Sequence, residues 1–258
     1  MTQNNRERLR QAQAAAAKQQ RLNRIIGVGA GVLVVVLIGV FIGVLVQNQS
    51  HQAATSAAAV TPPNATSDGK AIVISPGVTK QGAPVVELFF DYQCPYCKLL
   101  ETTYGGTLTS LAASGDIELH YRTMSFLDAS LNNDASLRAG IAATCADTVG
   151  KYSEFHNEIY TEQPETEGEG YSDTALRDSI PAALGIIGND LTTFQSCYDK
   201  QSTKGFVTTM GDLGIQDLQS INNQVSTPTV HVNGKDLPVS DIGQVQPDGL
   251  LDLIKQHA

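Results

Sequence analysis

Cysteine is scarce in this chain: there are four in 258 residues, and of these only Cys94 and Cys97 stand close together. A structural zinc site needs four ligands, commonly supplied as two such close pairs. Here the remaining cysteines, Cys145 and Cys197, lie far apart, and His51, His120, His156, His231 and His257 show no ligand spacing. No metal is therefore expected, and no other cofactor is called for. Positive charge is unevenly rationed as well. Arg6, Arg8, Arg10, Lys18, Arg21 and Arg24 precede residue 25, opposed only by Glu7, and no further positive charge occurs before Lys70. Six positive groups less one negative give the first 24 residues +5, so the chain total of −9 leaves −14 for the rest. So acidic a remainder argues against nucleic acid and anionic lipid headgroups as its partners. No internal repeat is present.

Charge and proline are both missing from Ile25 to Val46, "IIGVGAGVLVVVLIGVFIGVLV", a run of 22 residues. As a helix it covers roughly 33 Å, enough for the ~30 Å hydrocarbon core, and it lacks the polar face of a buried core helix. The expectation is one N-terminal transmembrane helix over 25–46, with a basic cytoplasmic tail over 1–24 and the C-terminal part across the plasma membrane. A cleaved secretory signal is the alternative, although its apolar region would be shorter. Gln47 to Gly69 has almost no large apolar side chain and reads as a flexible tether. Asn64-Ala65-Thr66 within it matches a glycosylation acceptor. From Lys70 onward enough chain remains for one domain with a proper core.

That domain reads as α/β. Strand patterns occupy Ala71 to Ser75 and Pro84 to Asp91, the latter apolar on both faces as in a covered central strand. A helix is expected to start at Cys94 with Pro95 in its first turn, where the missing N–H costs nothing. Ile117 to Thr123 is a further strand, and "PTVHVNGKDLPV" reads as a hairpin turning at Asn233-Gly234. Between them, about 131–224 reads as a helical block, interrupted at "EQPETEGEGYSD" and "LGIIGND". Pro247 to Gln256 is a closing helix. His120 and His231 fall inside strands and read as packed or surface residues.

If the orientation above holds, all four cysteines occupy an oxidising space, where paired cysteines persist as disulfides. A bridge across two residues closes too short a loop to stabilise much, and helix geometry strains it. Such bonds are easily reduced, and the spacing suits an exchangeable bond. Cys94, at a helix N-terminus, is expected to be exposed with its thiolate favoured by free N–H groups and the helix dipole. Cys97, one turn further in, is expected to be shielded and poised to resolve a mixed disulfide. Cys145 and Cys197 are expected to pair with each other as a structural disulfide; two separately buried thiols are the alternative. Pro228 begins a strand pattern, a position that a trans or a cis Thr227-Pro228 bond would suit; sequence physics does not choose between them.

"FFDYQCPYCKLLE", the distal "STPTVHVNG" and the helical block between them resemble the DsbA family of thioredoxin-fold disulfide oxidoreductases. The likeness is closest to membrane-anchored forms from high-GC Gram-positive bacteria and spans about 71–257. It implies a thioredoxin-like domain over 70–258 with a helical insertion. It also implies Cys94 as nucleophile, Cys97 as resolving cysteine, Pro95 and Tyr96 as active-site support, and Thr227 with a cis Pro228 as the substrate-strand contact. Expected partners are exported cysteine-containing proteins and a reoxidant, either a membrane protein or a small oxidant. Two departures stand out. Many relatives carry a buried acid six residues before the nucleophile, where this chain has Leu88; Glu87 should face the other side of its strand. The strongest oxidants have Pro-His between the cysteines, and Tyr96 offers one hydroxyl and no cation near neutral pH. The implied activity is an oxidase donating the Cys94–Cys97 disulfide. An isomerase or reductase of the same fold, or a redox-inert membrane-tethered binding or sensor module, is the alternative.

Overall fold

The computed structural model describes residues 60–258. The membrane span expected over 25–46, the basic tail over 1–24 and residues 47–59 of the expected tether lie outside the described residues. Among the described residues no helix is long and apolar enough to cross a membrane.

A five-stranded sheet organises the domain, with strands β1 (Ile72–Ile74), β2 (Val85–Asp91), β3 (Glu118–Met124), β4 (Thr229–Val232) and β5 (Lys235–Leu237). Their spatial order is β1-β3-β2-β4-β5. Only β2 and β3 run parallel, which requires a crossover, and α1 (Pro95–Leu100) with α2 (Gly106–Ala113) provides it. The hairpin β4–β5 turns at Asn233 and Gly234, both with positive φ, as a two-residue type I′ loop demands.

β2 is the middle strand, and its alternation divides two apolar layers. Val86, Leu88 and Phe90 are buried in the main core with Leu100, Tyr104 and Leu108 of the crossover. Phe89 faces the other way, with Met124 and Leu218. Glu87 lies on that second face, where Arg122 Nη1 donates to it at 3.0 Å and to Asp217 at 2.7 Å. Each fully buried Phe or Leu here contributes about 1.5–3 kcal/mol relative to exposure.

Between β3 and β4 come α3 (Leu127–Leu131), α4 (Ala135–Asp147), α5 (Tyr152–Thr161), α6 (Ile180–Ala183), α7 (Gly188–Asp199) and α8 (Lys204–Asn222). α4 is buried on nearly every side, as befits the central helix of a bundle. α8 crosses the second face of the sheet so closely that a side chain at Gly214 would meet Met124. Three short elements follow the hairpin: α9 (Val239–Ile242), a 3₁₀ turn (Pro247–Gly249) and α10 (Leu250–His257).

The segment just before β1 departs from the reading of 47–69 as tether. Asn64 donates from its backbone and its side chain to the Asp147 carboxylate, at 2.8 and 2.7 Å, and Ala65 bridges to Ile72. Residues 60–69 thus lie on the domain. They do so through long-range hydrogen bonds, which their polar composition does not reveal. The same contact engages the amide nitrogen that glycosylation at Asn64 would need.

Candidate active site

β2 ends at Asp91, and the turn that follows is held from several sides. The Cys94 N–H donates to Asp91 O at 3.0 Å. The Asp91 carboxylate accepts from the Gln93 N–H, the Leu127 N–H and the Ser136 hydroxyl. Burial pushes the Asp91 carboxyl up to about 7, against the pull of those donors. The Gln93 amide nitrogen donates to Asp128, Asn133 and Ser136 at 2.7–2.9 Å. The approach to Cys94 is therefore pinned to the start of the helical insertion.

Cys94 caps α1 in extended conformation and Pro95 occupies the first turn. Both Cys94 and Cys97 are thiols in this structure. The Cys94 thiol contacts Thr227 O at 3.3 Å, and the Thr227-Pro228 bond is cis. The loop before β4 and the start of α1 thus meet, bringing Cys94, Cys97, Thr227 and Pro228 together. Tyr96 projects outward, 70% exposed. Cys94, however, is only 5% exposed, against the expectation of an exposed nucleophile, because the Thr227 carbonyl lies over it. Cys97 is wholly buried.

The two thiols are electrostatically unlike. A hydrogen bond from the Cys97 thiol brings the Cys94 thiol down to about 6, overcoming the opposing effect of burial. The Cys97 and Tyr96 N–H groups and Thr227 add to it. Burial, then the neighbouring Cys94, pushes Cys97 well above the ordinary thiol range. The pair is thus divided into one anion-favouring sulfur at the rim and one proton-holding sulfur beneath it, the division that nucleophilic attack and later resolution require.

Two side chains that carried no role in the sequence hold this turn from outside. The Gln163 amide nitrogen donates to Tyr92 O at 2.7 Å and to Cys94 O at 3.2 Å. The Tyr171 hydroxyl donates to Tyr92 O at 2.6 Å. Both belong to the "EQPETEGEGYSD" break, which composition marks only as a loop. Lys98 donates to Gln163 O at 2.8 Å and ties that loop to α1. Elsewhere, Cys145 of α4 and Cys197 of α7 are joined by a disulfide with Cα atoms 5.7 Å apart. Among the described residues no group of three or more His, Cys, Asp or Glu is arranged to hold a metal ion.

Comparison with known proteins agrees with this geometry. The family model described as Thioredoxin matches residues 78–256. Disulfide bond formation protein D of Bacillus subtilis is 27% identical over 164 residues, which cover 62% of this chain and 68% of that protein. Among solved structures, the MdbA thiol-disulfide oxidoreductase from Corynebacterium diphtheriae superposes with a TM-score of 0.58 at 21% identity. That match covers 79% of this chain and 97% of MdbA. Oxidised BdbD from Bacillus subtilis superposes at 0.55 with 23% identity, covering 75% and 95%. At these identities the structural matches speak for the fold.

Proposed function

The chain belongs to the thioredoxin family, among its DsbA-like thiol:disulfide oxidoreductases, and from that premise we propose that it is an oxidase. In this reading it works outside the plasma membrane and donates a Cys94–Cys97 disulfide to exported proteins. A substrate thiolate attacks Cys94, forming a mixed disulfide and releasing Cys97. A second substrate thiolate then attacks the substrate sulfur, forms the substrate's own disulfide and releases Cys94 as a thiolate. Thr227 and Pro228 border the bound substrate strand, with the Thr227 backbone as its hydrogen-bonding partner. Pro95 and Tyr96 shape the rim. A disulfide-bearing membrane partner or a small oxidant restores the bond.

The observation that carries this reading is the lowered Cys94 thiol, at about 6, beside a shielded Cys97. A stable thiolate favours the reduced enzyme and so makes its disulfide a better oxidant. The Cys145–Cys197 disulfide supports an oxidising compartment, as does the basic flank before residue 25. A reporter fused after His257 should accordingly function only on the extracytoplasmic side. Reductase or isomerase work stays the second reading because Tyr96 supplies no positive charge to the thiolate. Equilibration of the full chain with glutathione separates the two. A potential near about −120 mV marks an oxidase, and one near about −270 mV a reductase and the end of this proposal.

A further inference from the structure

Behind the cysteines lies a buried polar network that the exchange steps above leave without a task. Glu101 follows Cys97 by four residues, so both project from one face of the same helix. Its Oε1 approaches His156 Nε2 to 3.4 Å, and both side chains are almost entirely enclosed. Neither atom has a well-formed hydrogen bond among the described residues, a costly state for buried polar atoms unless they share a proton. On the far side of the ring, His156 Nδ1 lies 3.0 Å from the Tyr92 hydroxyl. The Tyr121 hydroxyl donates to Glu101 Oε2 at 3.4 Å.

The backbone is shaped around this carboxylate. Glu101 opens a π-helical turn, Glu101–Gly105, between α1 and α2, a distortion frequent at functional positions. A side chain in place of the Gly105 hydrogen would collide with Glu101 Oε2. The β2 side chains beneath the helix, Val86, Leu88 and Phe90, are apolar and offer no base. The titratable groups facing Glu101 and His156 are Tyr92 from just past β2, Tyr121 from β3, Tyr152 and Tyr160 from α5, which also carries His156, and Cys97 from the turn before Glu101. Burial holds all four phenols well above their ordinary range, so they stay neutral. Tyr160 feels the charge of both Cys97 and Glu101, which puts the thiol and the carboxylate around one ring.

We propose that Glu101 and His156 together store the proton that Cys97 gains when the active disulfide is reduced. This rests on the reading of Cys94 and Cys97 as an exchanging pair. In the oxidised enzyme the Glu101–His156 pair holds one labile proton. Attack on Cys94 breaks the Cys94–Cys97 bond, the departing electron pair stays on Cys97 Sγ, and the stored proton moves to that sulfur. The pair is left as a carboxylate facing a neutral imidazole. The Tyr92 hydroxyl accommodates both states, accepting from Nδ1 in one and donating to it in the other. Two substrate thiols lose two protons to solvent and two electrons to the enzyme, whose proton has only moved inward. Reoxidation runs it back: the Cys94 thiolate attacks a partner disulfide to form a mixed disulfide, Cys97 returns its proton to the pair as its sulfur attacks Cys94, and the partner takes up two protons from solvent and leaves as a dithiol. Glu101 and His156 are positioning residues for the thiol proton and touch no substrate.

The test follows one step in the full chain in detergent micelles. Glutathione disulfide converts reduced Cys94 to its glutathione adduct, and mass spectrometry of acid-quenched samples times its resolution by Cys97. The wild-type rate should vary little between pH 6 and 8. Glu101→Gln should resolve roughly a hundredfold more slowly at pH 6–7, the low end of general acid–base effects. It should then recover about tenfold per pH unit as hydroxide takes over, and Glu101→Asp should regain a flatter profile. Wild-type rates and pH profile in Glu101→Gln overturn the inference. If Glu101→Gln does not fold, His156→Gln is read the same way: a steep profile supports the pair and a flat one overturns it. Failure of wild-type Cys94 to form the adduct at all would instead sink the thiol-exchange reading itself.

Discussion

Two pairs of cysteines share this domain and are treated in opposite ways. Cys94 and Cys97 stand at a strand-to-helix turn and are both thiols, one almost buried at the rim and one shut beneath it. Cys145 and Cys197 lie 52 residues apart on two helices of the insertion and are bonded. Loop length accounts for much of the contrast. Closing a 52-residue loop removes a large share of unfolded-chain freedom, whereas closing a two-residue loop removes little. Surroundings account for the rest. Around Cys94 the Cys97 thiol, and after it the N–H groups of the first helical turn, favour a thiolate. Cys145 is fully buried in α4, the most enclosed helix of the domain. One pair is arranged to change state and the other to resist change.

The sharpest way to break this comparison is to remove each sulfur in turn. Cys94→Ala should reduce oxidation of a reduced test protein to the uncatalysed background. Cys97→Ala should collect disulfide-linked complexes on non-reducing gels. Complexes that persist in Cys94→Ala and vanish in Cys97→Ala would reverse the assigned roles. In the other region, Cys145→Ala with Cys197→Ala should lower unfolding stability by about 4 kcal/mol on the chain-entropy account. Urea unfolding reads that loss, while turnover per folded molecule should hold. A loss of turnover without a loss of stability would mean that the insertion pair takes part in exchange.

The contrast also explains what the sequence discloses. The β2 run "VVELFF", Pro95 after Cys94 and the Asn233-Gly234 turn are local signals, and each fixes a local conformation that the sheet then uses. Together they lead to the α/β sheet and its middle strand, whereas the meeting of α1 with the loop before β4 is implied only by the family resemblance. Glu87 falls on the face opposite Leu88 because strand alternation is strict. What local signals do not carry is closure by distant residues. The near-complete burial of Cys94 depends on Thr227, more than a hundred residues away. Gln163 and Tyr171 act on Tyr92 from a loop whose composition only says that it is a loop. Residues 60–69 look unstructured by composition and are held by Asp147. Glu101 did leave a trace, an acid four residues after a buried cysteine on one helix face, yet its partner His156 is found only through the fold.

A gentler probe uses pH, because only one of the two regions titrates. In the folded reduced protein the Cys94 thiol lies at about 6 rather than at its ordinary 9.0. A lowered acid contributes stability that is fully present above the unfolded value and is lost as pH falls through the folded one. The reduced form should therefore gain on the oxidised form as pH rises from about 6 to 9, and the difference should level off below 6. The Cys94 proton by itself contributes at most about 1.4 kcal/mol per pH unit to that slope. Cys97, shifted the other way, ionises only above this window. Urea midpoints of both redox forms at pH 5, 7 and 8.5 measure the slope. The double alanine variant of Cys145 and Cys197 should show the same one, since that disulfide has no proton to lose. A difference that stays flat from 6 to 9 would place the Cys94 thiol near its ordinary value.

The smallest effect is expected at the seam between the two regions. Tyr92 O, at the end of β2, accepts from both Tyr171 and Gln163, side chains of the loop after α5. Tyr171→Phe removes one donor and leaves the other, so the carbonyl is still satisfied and the loss should be about 1 kcal/mol or less. Gln163→Leu likewise leaves Tyr171 on that carbonyl, though it also withdraws the longer bond to Cys94 O at 3.2 Å. With both changes the buried carbonyl is left with neither donor and should incur the desolvation cost of an unmet acceptor, about 1–3 kcal/mol. The double variant should thus lose more than the two single losses combined, a coupling that a double-mutant cycle in urea reads directly. Strict additivity would mean that the loop merely rests against the turn. Coupling would make it a brace, through which the insertion that holds the fixed disulfide also steadies the turn that carries the exchangeable one.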